Sequence, residues 1–219
     1  NTVNVTIPEG KTVPQIADIW EEAGLCTADE FLRCCAELDI PYDYIPAGED
    51  FNQLEGFLFP ETYNVLITWG AEDLVKLQLA QFDKNWTAER QKLADEQGLT
   101  VKEIVTLASL IEREARVADE RPLIASVIYN RLAIGQKLQI DATIQYILGE
   151  QVDRVLYKDL EIESPYNTYL NAGLPPGAIC SPGLSCIDAA LNPAETDYFY
   201  YRTKNDGSGE HNFAHTYEE

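Results

Sequence analysis

Apolar residues recur along this chain with two periods. Val3, Val5 and Ile7 alternate with polar neighbours in "TVNVTI", which is the period of a half-buried strand. After the turn "PEG", Val13, Ile16, Ala17 and Trp20 recur at helical spacing, and Gly24 ends the run. "TADEFLRCCAEL" predicts a second helix, with Thr27 as N-cap and Glu30 as its capping-box partner. "DIPYDYIPAGEDFNQLEG" is rich in Pro, Gly and Asp and reads as a linker. "FLFPETYNV" is an apolar aromatic patch interrupted by Pro60. The run from Ala71 to Gly98 predicts one long amphipathic helix, with Leu74, Leu77, Leu79, Phe82 and Trp86 marking its buried side. Thr100 and Glu103 form the start signal of the next helix. Another helix is bounded by Pro122 and Gly135, and a short one follows Asp141. The Pro- and Gly-rich stretch from Ser164 to Gly183 predicts a long, stiff loop of the kind that carries function. A helix over 185–191 and a hairpin turning through "NDGSG" complete the chain.

One residue breaks the pattern. In "VKEIVTLASLIEREARVA", Val101, Ile104, Val105, Ala108, Ile111 and Ala115 define one helical face, and Glu112 falls on that face. A buried carboxylate costs free energy unless it is paired, and burial favours its protonated form. A general acid needs that property. The structural alternative is a glutamate satisfied by Arg116, four residues on. Glu114 lies on the other side of the helix and is expected in solvent. Leu107 and Leu110 also lie off the main stripe, so this helix is expected to be buried nearly all round.

Composition narrows the function. The 219 residues suffice for one large domain or two modest ones, and 45% apolar content marks a globular chain. A formal net charge of −21 repels phosphate backbones and excludes nucleic acid as a partner. No apolar run of about 18 residues is present. The chain begins at Asn1 and contains no Met, so it reads as a portion of a longer protein. Its five cysteines include no C-x-x-C pair and read as small buried apolar residues, with a Cys180–Cys186 bridge as the alternative.

Other residues offer chemistry. Gln139, Asp141 and Thr143 cluster in "LQIDATIQY"; Asp141 also suits a helix N-cap. Gln139 and Gln145 suit sugar hydroxyls or amides. In "SPYNTY", Asn167 offers an amide between the flat faces of Tyr166 and Tyr169, and a turn with packing tyrosines is the alternative. His211 and His215 share one face of a predicted strand without a third metal ligand nearby, so no metal site is expected. No phosphate-binding glycine loop and no G-x-S-x-G occur.

Taken together, "LEGFLFPETY", "ASLIEREA", "ERPLIASVIYNRL", "LQIDATIQY", "SPYNTYLNAGLPPGAICSPG", "AALNPAETDYFYY" and "HNFAHTYEE" resemble the endolytic murein transglycosylase (YceG-like) family over nearly the whole chain. Ala142 departs from the Pro often found there. The resemblance implies an α+β fold: a LysM-like module over 1–48, a linker and connecting helix over 49–99, and a catalytic domain over 100–219. It implies cleavage of glycan strands between N-acetylmuramic acid and N-acetylglucosamine, leaving a 1,6-anhydro end and terminating nascent strands. It places the catalytic glutamate at Glu112 and implies no cofactor. Gln139, Asp141, Thr143, Tyr166, Asn167, Tyr169 and Ser181 are the substrate-binding residues expected with it. Peptidoglycan strands are the implied partner, with peptidoglycan synthases alongside. The implied location is extracytoplasmic, with the membrane reached only through an anchor outside this chain. Two alternatives stand beside this reading: a water-using muramidase with Asp141 as second carboxylate, and a non-catalytic wall-binding protein.

Overall fold

A computed structural model describes residues 1–219. In chain order the elements are β1 (Thr2–Ile7), α1 (Val13–Glu22), α2 (Ala28–Glu37), β2 (Glu61–Leu66), α3 (Ala71–Asn85) and α4 (Ala88–Gln97). They continue with α5 (Val101–Glu114), α6 (Arg121–Ala133), α7 (Asp141–Leu148), α8 (Leu184–Leu191), β3 (Tyr200–Thr203) and β4 (His211–Ala214). Helices dominate, and two small antiparallel sheets, β1–β2 and β3–β4, make the fold α+β.

The capping signals operate as their chemistry requires. Thr27 and Thr100 each accept the N–H of the residue three positions on, and the glutamates there accept the cap N–H in return. The expected long helix from Ala71 is instead two helices. Thr87 accepts the Arg90 N–H at 3.3 Å and starts α4, while Trp86 leaves helical geometry at ψ 76°. A local cap thus overrides a continuous amphipathic pattern.

The expected linker is packed structure. Ile45 and Leu54 are buried, and the Gln53 side-chain amide donates to the carbonyls of Cys35 at 2.7 Å and Ala36 at 3.1 Å, satisfying the end of α2. Pro60 does not end the aromatic patch; it leads directly into β2. Val5 pairs with Tyr63 and Val3 with Val65, so the first sheet crosses the boundary drawn at residue 48. Gly56 shows how tightly the segments meet. Its φ is +91°, and a Cβ there would lie 2.6 Å from both Ala178 and Val105 side-chain carbons.

A single core of 40 buried residues runs from Val5 to Leu191. At its centre is α5, in which Ile104, Val105, Leu107, Ala108, Leu110 and Ile111 are all fully enclosed. This helix is apolar nearly all round and packs against α4, α6, α7 and α8. Its last turn is where the chain places its charge.

Candidate active site

The two glutamates ending α5 face different surroundings, because positions two apart on a helix point roughly 200° apart. Glu112 is half-buried, and its Oε2 accepts the Gly183 N–H at 2.9 Å. Gly183 is the N-cap of α8, so a helix N-terminus satisfies this carboxylate. Burial and the Glu112 charge push the adjacent Cys186 thiol upward. Arg116 is exposed and makes no ion pair with Glu112; its aliphatic stem packs against Gly209. The pairing considered for Arg116 is therefore replaced by a backbone donor.

Glu114 was expected in solvent, and the structure corrects this. The β3–β4 hairpin folds over it, and Tyr201 Oη donates to its Oε2 at 2.9 Å. Burial holds its pKa above the usual carboxylate range; the Tyr201 hydrogen bond opposes this, and the Asp141 charge adds to it. Glu114 lines a cleft of about 450 Å³ together with Gln139, Asp141, Tyr169, Tyr201 and His211. The residue keeps some exposure because it faces this cleft, while its carboxyl is desolvated.

The cleft is held by groups from distant segments. Asp141 is the first residue of α7 and does not cap it; its Oδ1 accepts a hydrogen bond from Tyr169 Oη. Gln139 is exposed, with φ +52°, an uncommon left-handed backbone for a non-glycine residue. Its N–H donates to the Thr168 carbonyl at 3.1 Å, fixing the turn. Arg131 donates to the carbonyls of Phe199 and Leu138, both at 2.6 Å, and ties the hairpin to the turn before α7. His211 Nδ1 lies 2.7 Å from Glu120 Oε2, and its ring meets Tyr201 edge-on at 5.4 Å. His215 is exposed and lies beside Asp197, so the two histidines do not share a site.

Not all expected binding residues reach this cleft. Thr143 is fully buried and bonds the Ile140 carbonyl and Thr168 Oγ1. Asn167 is fully buried too, donating to the carbonyls of Leu160 and Ile162 and accepting the Tyr169 N–H. Both residues are enclosed and build the loop. Ser181 is buried, and its backbone pairs with Gly10 and Lys11 near Glu112. Tyr166 meets Tyr146 in a tilted ring contact, centroids 5.0 Å apart, in a second cleft of about 460 Å³. Glu112 lines neither cleft.

That second cleft holds a carboxyl that periodicity missed. Glu55, in "LEGFLFPETY", is 3% exposed. Its Oε2 accepts from the Val13 N–H at 3.2 Å and Tyr146 Oη at 3.3 Å, and burial pushes its pKa to about 8. It sits outside any regular element, so no period marked it. All five cysteines are free thiols, and the Cys180–Cys186 bridge does not form.

The end of buried α5 thus presents a desolvated carboxyl to an open groove of hydroxyl, amide, carboxylate and guanidinium groups. The chain itself belongs to the YceG-like family, whose model matches residues 1–219. It is similar to the endolytic murein transglycosylase of Bacillus subtilis strain 168, at 46% identity over 156 residues, covering 70% of this chain and 43% of that protein. The protein of the same name from Streptococcus pneumoniae D39 is 34% identical over 221 aligned positions, covering 90% of this chain and 40% of that one. The chain thus spans less than half the length of either relative. A 2.6 Å crystal structure of a YceG-like protein from Listeria monocytogenes superposes with a TM-score of 0.88 at 35% identity, covering 98% of this chain and 74% of that one.

Proposed function

We propose that this chain carries the lytic transglycosylase activity of an endolytic murein transglycosylase, with Glu114 rather than Glu112 as its acid and base. The observation that carries this reading is the desolvated Glu114 carboxyl in the cleft shared with Gln139, Asp141 and Tyr169. Protonated Glu114 gives its proton to the glycosidic oxygen between N-acetylmuramic acid and N-acetylglucosamine, and the C1–O bond breaks. The C6 hydroxyl of the muramyl ring attacks C1 and returns its proton to Glu114. The enzyme ends as it began, and a 1,6-anhydro ring replaces the glycosidic bond.

No water enters this route, so it needs no second carboxylate to activate one. Asp141, bonded to Tyr169, instead raises the proton affinity of Glu114 and offers an oxygen to sugar hydroxyls. Tyr201 orients the Glu114 carboxyl. Mass spectrometry of digested peptidoglycan tests the reaction. Anhydro-muramyl ends are expected from the wild type and not from Glu114→Gln. Reducing ends alone would mean that water is the acceptor and would overturn the transglycosylase reading.

The strand–helix–helix–strand order of β1, α1, α2 and β2 supports a LysM-like module, completed by a strand beyond residue 48. No helix here is long and apolar enough to cross a membrane. Peptidoglycan as substrate supports an extracytoplasmic site of action, with anchoring and contacts to peptidoglycan synthases supplied by parts of the protein outside this chain.

A further inference from the structure

Basic residues are scarce here, 16 against 37 acidic ones, yet four arginines line the cleft of Glu114: Arg113, Arg116, Arg131 and Arg202. Two of them are already engaged. Arg131 holds backbone carbonyls, and Arg113 donates to Gln145 Oε1 at 3.0 Å. Arg116 and Arg202 are exposed and take part in none of the ion pairs of the structure. Arg116 is nonetheless positioned. A Cβ on Gly209, where φ is +77°, would lie 3.2 Å from Arg116 Cβ, so the hairpin loop rests on its stem.

Only two acids line the cleft, Asp141 and Glu114, so they do not cancel the charge of the four arginines. A chain of net charge −21 therefore presents a locally positive groove at its reactive carboxyl. Such a groove concentrates and orients an anionic ligand. Of the two sugars in the strand, only the muramyl unit carries carboxylates, on its 3-O-lactyl group or on the peptide attached to it. Guanidinium forks match carboxylates in geometry and charge.

We propose that Arg116 and Arg202 bind a carboxylate on the muramyl substituent and so fix the register of the strand, with the muramyl ring at the arginine end of the cleft. This inference rests on the proposed glycan-cleaving function. It makes the arginine pair a determinant of specificity, separate from the acid.

Binding in the Glu114→Gln background tests it without chemistry. Three ligands are compared: strands bearing peptide stems, strands stripped to the lactyl carboxylate, and stripped strands whose lactyl carboxylates have been converted to amides. With the arginines intact, at least one carboxylate-bearing strand is expected to bind about tenfold tighter than the amide form. The added double substitution Arg116→Gln and Arg202→Gln is expected to remove that preference. A preference removed for stripped strands identifies the lactyl carboxylate; one removed only for stem-bearing strands identifies the peptide. A preference that survives the double substitution, or one absent with both arginines present, overturns the proposal. Cleavage by the otherwise unaltered enzyme is measured separately. A protein that binds strands through this pair but cuts none would overturn the catalytic reading alone.

Discussion

At the scale of single residues, the decisive pair is Glu112 and Glu114. Helical periodicity separated them correctly and placed Glu112 on the apolar stripe of α5. What it lacked was the partner of each face. The apolar side brings Glu112 to a backbone donor at Gly183, whereas the side expected in solvent is roofed by a hairpin about 90 residues later in the chain. Two substitutions are expected to shift the pH dependence of kcat/KM in opposite directions. The Tyr201 hydrogen bond lowers the Glu114 pKa, so Tyr201→Phe raises it and moves the loss of activity with rising pH to higher pH. The Asp141 charge raises the Glu114 pKa, so Asp141→Asn moves that loss to lower pH. Shifts in the reverse directions would mean that another group provides the proton.

At the scale of elements, the chain declared its helix starts through short-range chemistry, as at Thr27 and Thr100, and those signals agree with the structure. Its failures lie where long-range packing decides. Leu54 and Glu55 read as linker because Gly and Pro surround them, yet they pack under α1 and beside α7. Gly56 permits this close approach, and Gly56→Ala is expected to destabilise the fold by about 2–4 kcal/mol, combining left-handed strain with overpacking. A thermal melt measures this. Glu55 adds a pH signature. Its folded pKa of about 8 stands above that of an exposed carboxyl. Its contribution is therefore fully present at low pH and is lost as pH rises through about 8. Wild-type stability is expected to fall between pH 5 and pH 8 by more than that of Glu55→Gln. Parallel pH profiles for the two proteins would contradict a protonated Glu55.

At the scale of the whole molecule, composition indicated a globular, strongly acidic chain, and the motifs indicated the family. Composition could not show where the few positive charges gather, because Arg113, Arg116, Arg131 and Arg202 come from three separate segments. It also could not show that β1 returns to pair with β2 across the segment between them. One core joins these parts, so heating is expected to give a single cooperative transition rather than two. The central claim is that the working carboxyl is the one facing the cleft. It is tested most directly by assaying Glu112→Gln and Glu114→Gln side by side on the same peptidoglycan, with anhydro-muramyl ends counted by mass spectrometry. Glu114→Gln is expected to lose at least about a hundredfold in rate, the usual scale for losing an acid–base group, while Glu112→Gln stays within about tenfold of wild type. The opposite ranking, with Glu112→Gln inactive and Glu114→Gln active, would contradict it.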